Sequence, residues 1–173
     1  MLCLLQQLFI SHLFLLQAPV PIFFFLFVLG NLLLPQLTHL IPSGGLIFLP
    51  IYFFTLIAAD KFGLKVGLLT ALLSPLLNSF LFGMPSVTVL PIILIKSFLL
   101  AFIAGIVATR YKQISFLHLL IVVLGYQFIG SLAEWALTQS IGKALQDFRI
   151  GIPGMLLQIF GGYLLLKKMA AYE

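Results

Sequence analysis

Lys96 is the residue whose position most demands a chemical reason. It lies inside the apolar stretch Pro91-Ile92-Ile93-Leu94-Ile95-Lys96-Ser97-Phe98-Leu99-Leu100, and a charge at that depth in a membrane has to be paired or used. Glu134, near the end of another apolar run, is the expected partner. Together they are expected to line a polar pocket; the structural alternative is an ion pair that only joins two helices. Asn78 follows Pro75 by three residues, so its amide either recognises a ligand or repairs backbone bonding that the proline disrupts. Gln127 and Gln158 sit nearer the middle of their runs and could line a cavity or link helices. Asn31 and His39, with Gln36 and Thr38, occupy the second half of an earlier run, where His39 could contact a ligand or be an ordinary polar residue near an interface. Trp135, Tyr52 and Tyr126 could stack on a planar ligand, or serve packing and the aromatic belt. The candidate substrate-binding set is therefore Asn78, Lys96, Gln127, Glu134, Gln158, Asn31, His39 and Trp135.

Other reaction chemistries find no support in the chain. It has no phosphate-binding lysine loop, no credible Ser/His/Asp order and no paired carboxylates suited to hydrolysis. The three histidines are far apart and one cysteine, Cys3, gives no ligand set. No catalytic residue, metal or cofactor is expected. The expected chemistry is capture and passage without bond breaking, so the protein is not expected to be an enzyme.

The elements that must position these residues follow from composition. Of 173 residues, 62% are hydrophobic and 8% charged, against about 25% charged in a soluble domain. Lipid is therefore the expected solvent. The net charge of +5 is read as topology and attraction to anionic lipid, and no nucleic acid is expected. The expected fold is an all-α membrane protein, a bundle of six transmembrane helices over about Val20–Ile41, Leu46–Ala59, Leu64–Phe82, Val87–Thr109, Phe116–Leu137 and Ile150–Leu166. Lys61, Lys65, Arg110, Lys112, Lys167 and Lys168 fall at alternate breaks, which by the positive-inside rule places both ends of the six-helix core in the cytoplasm and the protein in the plasma (inner) membrane. Residues 20–168 form the expected membrane domain and 169–173 a cytoplasmic tail. Residues 1–19 read as a hydrophobic leader or interfacial segment; a seventh span or a start placed too far upstream are the other readings. Gly83 and Pro85 make a tight outer turn in Phe82-Gly83-Met84-Pro85. The connection 138–149, carrying Asp147 and Arg149, is expected to form a short surface helix or lid. Ala101 and Gly105 make a small-xxx-small pair for close helix packing, inside the bundle or against a partner.

Four stretches carry a resemblance when taken in order: Leu29-Gly30-Asn31 through Pro35-Gln36-Leu37-Thr38-His39-Leu40-Ile41-Pro42; Gly67 through Ser74-Pro75-Leu76-Leu77-Asn78; Phe82-Gly83-Met84-Pro85; and Asp147-Phe148-Arg149-Ile150-Gly151-Ile152-Pro153-Gly154. Over residues 20–168 the chain resembles the substrate-binding S component of energy-coupling-factor (ECF) vitamin and micronutrient transporters. That resemblance implies a receptor that captures a small molecule outside. A transmembrane coupling subunit and two cytoplasmic ATPases would power its reorientation in the bilayer. Phe23-Phe24-Phe25-Leu26-Phe27-Val28 stands where the family often carries an AxxxA docking pair, so either the docking surface differs or the likeness is one of fold. An MreD-like membrane scaffold for cell-shape or cell-wall assembly, of similar size and topology, is the alternative.

Overall fold

A computed structural model describes residues 19–111 and 114–171. Among them the chain is helical and without strands. The order is α1 (Pro19–Thr38), α2 (Gly44–Phe48), a 3-10 turn (Pro50–Tyr52), α3 (Phe53–Phe62), α4 (Leu64–Phe82), α5 (Leu90–Arg110), α6 (Phe116–Thr138), α7 (Ile141–Ala144), α8 (Gln146–Ile150), α9 (Ile152–Leu156), a π-helical turn (Leu157–Gly161) and α10 (Gly162–Ala170). The expected leader lies outside the described residues, apart from its last residue, Pro19, which begins α1.

Four helices are long and apolar enough to cross a membrane: those containing Val20–Thr38, Leu64–Phe82, Leu90–Arg110 and Phe116–Thr138. At about 1.5 Å per residue, 19 to 23 residues span roughly the 30 Å of a hydrocarbon core. The expected second and sixth spans are not continuous helices. In the second, Leu49 takes a left-handed conformation with φ 47° directly before Pro50, and the proline cannot donate the hydrogen bond that would continue α2. In the sixth, Pro153 is near the start of α9. The backbone then widens into a π turn ahead of Gly162, where two successive glycines weaken helical preference. These two broken segments pack on each other: Gly154 lies so close to the Phe48 backbone that a Cβ would have no room.

Polarity is distributed as lipid requires. Phe25, Phe128 and Leu164 are 69, 62 and 67% exposed, whereas Asn31, Thr55, Ser74, Asn78, Gln127 and Gln158 are fully buried. Between them lies an apolar core that includes Leu56, Ile57, Leu100, Val122 and Tyr126. Close approach is built from small residues. On α5 the inward stripe runs through Ser97, Ala101, Ala104 and Gly105, and a Cβ on Gly105 would come within 2.9 Å of Leu64 Cα. Ala101 and Gly105 are thus used in packing within the bundle.

Chain direction separates two ends. The connections 39–50, 83–89 and 139–151 gather at one, here the cavity end. The Gly63 turn, the end of α5 and the start of α6 lie at the other, with Lys61, Lys65 and Arg110 beside them. Gly63 has φ 85° and Gly83 φ 67°, a region in which a side chain is strained; each closes a turn into or out of α4.

Candidate functional site: a lysine held by two carboxylates

Lys96 is on the inward stripe of α5, four residues before Leu100 and eight before Ala104, all of them buried. α5 begins at Leu90, so Lys96 stands six residues, roughly 9 Å, below the helix start. Its stem crosses α6 at Gly130, where a Cβ would meet Lys96 Cγ at 2.8 Å; the absent side chain is what lets the lysine lie against that helix. One turn further along α6, Glu134 Oε2 accepts a hydrogen bond from Lys96 Nζ at 2.6 Å. Asp147 Oδ2, on α8, accepts a second at 2.8 Å. Lys96 is 2% exposed and Asp147 8%. Charges this far from water persist only when paired and hydrogen-bonded, and the geometry meets that condition for the cation. Each carboxylate spends one oxygen on the lysine. Among the described residues no hydrogen bond reaches Glu134 Oε1 or Asp147 Oδ1.

Sequence reasoning placed Asp147 in an outer loop or gate. The connection, expected to form a short surface helix or lid, folds as two short helices, α7 and α8, after Gln139 closes α6 in a left-handed conformation and Ser140 Oγ accepts a bond from the Lys143 N–H. That turn brings Asp147 back over the bundle. Arg149, on the same short helix, is exposed and takes no part.

The cluster opens on a cavity of about 460 Å3 whose walls include Tyr52, Thr88, Ile92, Thr138, Lys143 and Gln146. A second cavity of about 340 Å3 adjoins it and is almost wholly apolar; its walls include Pro35, His39, Met84, Pro85 and Ser86. The two share Gly45, Leu46, Ile51, Val89 and Ile93. Each is within the range of small-molecule pockets, roughly 300–1,000 Å3. His39 and Pro85 therefore belong to the apolar neighbour. Gly83 shapes the turn before it, and the Met84–Pro85 peptide is cis. Trp135 lies apart, on a small cavity of about 150 Å3 between α6 and the α7–α8 connection.

The remaining candidates form separate groups. Asn31 Nδ2 donates to Thr55 Oγ1 at 3.0 Å and Ser74 Oγ at 3.1 Å, and its Oδ1 accepts from the Phe54 N–H at 3.2 Å. Asn78 Nδ2 donates to Ser74 O at 3.0 Å and to Asn31 O at 2.8 Å. The second bond has a clear cause. Asn31 O would normally accept from the N–H four residues on, and that residue is Pro35, which has none. Asn78 supplies the missing donor from a neighbouring helix, so the proline it serves is Pro35 rather than Pro75. Neither asparagine lines either cavity. Gln158, on the π turn, accepts from Tyr126 Oη at 2.9 Å. Its Nε2, both amide atoms of Gln127, Ser97 Oγ and Ser131 Oγ are buried without a protein partner.

A second close contact between polar side chains, an acid and a histidine, was not foreseen. At the far end His118 Nε2 lies 2.6 Å from Asp60 Oδ2, with side chains 1 and 4% exposed. Tyr111 stacks on the His118 ring at 5.8 Å. The two residues are 58 positions apart, on α3 and α6, and the only sequence signal was an acid and a histidine each beginning or ending an apolar run. Among the described residues no group of three or more His, Cys, Asp or Glu could hold a metal ion.

Comparison of the chain with protein-family models, with curated proteins and with solved structures returns no match.

Proposed function

We propose that this chain is the substrate-capturing membrane subunit of an importer of the energy-coupling-factor type, taking a vitamin or related micronutrient at the outer face. The observation that carries the reading is the cavity floored by Lys96, Glu134 and Asp147 at one end of a lipid-facing bundle. Three charges buried together on a single structural joint are costly; on a cavity of ligand size they are available for recognition. On this reading the two broken segments complete six crossings. The cavity end faces outward, and the basic end with Lys61, Lys65 and Arg110 faces the cytoplasm of the plasma membrane. The chain itself breaks no bond. Work comes from a transmembrane coupling subunit and two ATPases, with release by reorientation in the bilayer.

The test is mass spectrometry of the tagged protein purified in mild detergent from native membranes. Stoichiometric recovery of a coupling subunit with two ATPases is the expected result. Recovery of cell-wall assembly proteins without ATPases would replace this reading with the MreD-like scaffold.

A further inference from the structure

The charge balance at the cavity floor indicates what kind of molecule it takes. Lys96 has three N–H donors, and two are spent on Glu134 Oε2 and Asp147 Oδ2. One donor is left for a ligand, against two free carboxylate oxygens, Glu134 Oε1 and Asp147 Oδ1. The three side chains together carry one net negative charge. Lys143, the other cation on the cavity wall, is exposed, and water and salt screen it. A carboxylate entering beside Lys96 would therefore meet two carboxylates already holding that lysine. A cation or a strong N–H donor would meet two acceptors and a field of the right sign. The adjoining cavity is mainly apolar, walled by residues such as Pro35, Ile51, Met84, Val89 and Ile93, with His39, Ser43 and Ser86 as its polar side chains.

Resting on the receptor reading for its physiological meaning, we propose that the site selects an amphipathic small molecule: a protonated amine or comparable N–H-donor head bound between Glu134 and Asp147, and an apolar body lying in the cavity next to it. The lysine is then the element that holds the two carboxylates at the right separation, and its own charge is not the attraction.

The probes are three molecules that differ only in their head: 3-phenylpropylamine, 3-phenylpropan-1-ol and 3-phenylpropionate. Each is titrated calorimetrically at pH 7 into the full chain in lipid nanodiscs, with empty nanodiscs subtracted. The amine is expected to bind about tenfold or more tighter than the alcohol and the carboxylate, the scale of one charge-assisted hydrogen bond. Asp147→Asn and Glu134→Gln are each expected to weaken the amine about tenfold and the alcohol by clearly less, because only the amine loses a charge-assisted bond. Binding of the carboxylate as tightly as the amine, or no binding of any probe at millimolar concentration, overturns the assignment. The order of affinities in the unaltered protein decides the matter even if a variant does not fold. An amine preference without a recovered coupling subunit upholds the site chemistry and removes the transporter role; a carboxylate preference with the subunit present does the reverse.

Discussion

Lys96→Met tests the physics of the cluster most directly. The substitution keeps an unbranched apolar stem along Gly130 and removes the cation that joins Glu134 to Asp147. Two carboxylates, 14 and 11% exposed in their side chains, then lack a counter-charge. Breaking a buried ion pair by deleting one partner costs about 3–5 kcal/mol. Both carboxylates open on the cavity, which places this case near the lower limit, about 3 kcal/mol. Glu134→Gln leaves the Lys96–Asp147 bond intact and is expected to cost less, about 1.5–2 kcal/mol, the lower end of the scale for one hydrogen bond to a charged group. In a Lys96→Met background the same Glu134→Gln change removes one of the stranded charges, so it is expected to restore stability. That reversal of sign is the decisive result. It is read by thermal unfolding in nanodiscs, where 3 kcal/mol corresponds to a fall of about 6–12 °C for a chain of this size. A Lys96→Met protein that melts within a degree or two of the parent would refute the claim that the cation holds the cluster together.

Asn78→Ala is expected to cost about 1–3 kcal/mol by leaving Asn31 O without a donor, and to cost distinctly less in a Pro35→Ala background, where residue 35 regains its N–H; thermal unfolding of the four proteins measures the coupling. Gly130→Ala places a methyl against Lys96 Cγ and is expected to destabilise by about 1–3 kcal/mol through overpacking, whereas Gly142→Ala, with open space around it apart from Ser140 Oγ at 4.0 Å, serves as the neutral comparison on the same unfolding assay. At the far end, Asp60→Leu or His118→Leu alone strands a buried polar partner, and the double replacement is expected to cost less than the two single losses added together, measured as a double-mutant cycle.

How much was legible in the sequence depended on whether a signal was local. Lys96 announced itself because an ion interrupts an apolar run, and the chain has only four acids to answer it. Glu134 was accessible for that reason. Asp147 was one of the same four, but its return to the bundle depends on the left-handed Gln139 and the folding of α7 and α8, which no periodicity reports. Pro50 and the Gly161-Gly162 pair are residues that disfavour a continuous helix, but the φ of Leu49 and the π turn beside them are tertiary outcomes. Asn78 was tied to the nearest proline along the chain, whereas the carbonyl it serves belongs to a different helix. Asp60 and His118 were invisible as a pair because each, alone, looks like a helix end.

The inside-out distribution of polarity has a calorimetric consequence. In a water-soluble protein, melting exposes apolar side chains to water, which gives unfolding its large heat-capacity increment and the stability curve its arch. Here Phe25, Phe128 and Leu164 already face outward, and separating the helices within a bilayer would move the core side chains Leu100 and Val122 from protein into hydrocarbon rather than into water. What is given up is bonding such as that of Asn31, Asn78 and Lys96. Helix dissociation in lipid should therefore carry little heat-capacity change, follow a nearly straight dependence on temperature, and show no loss of stability in the cold.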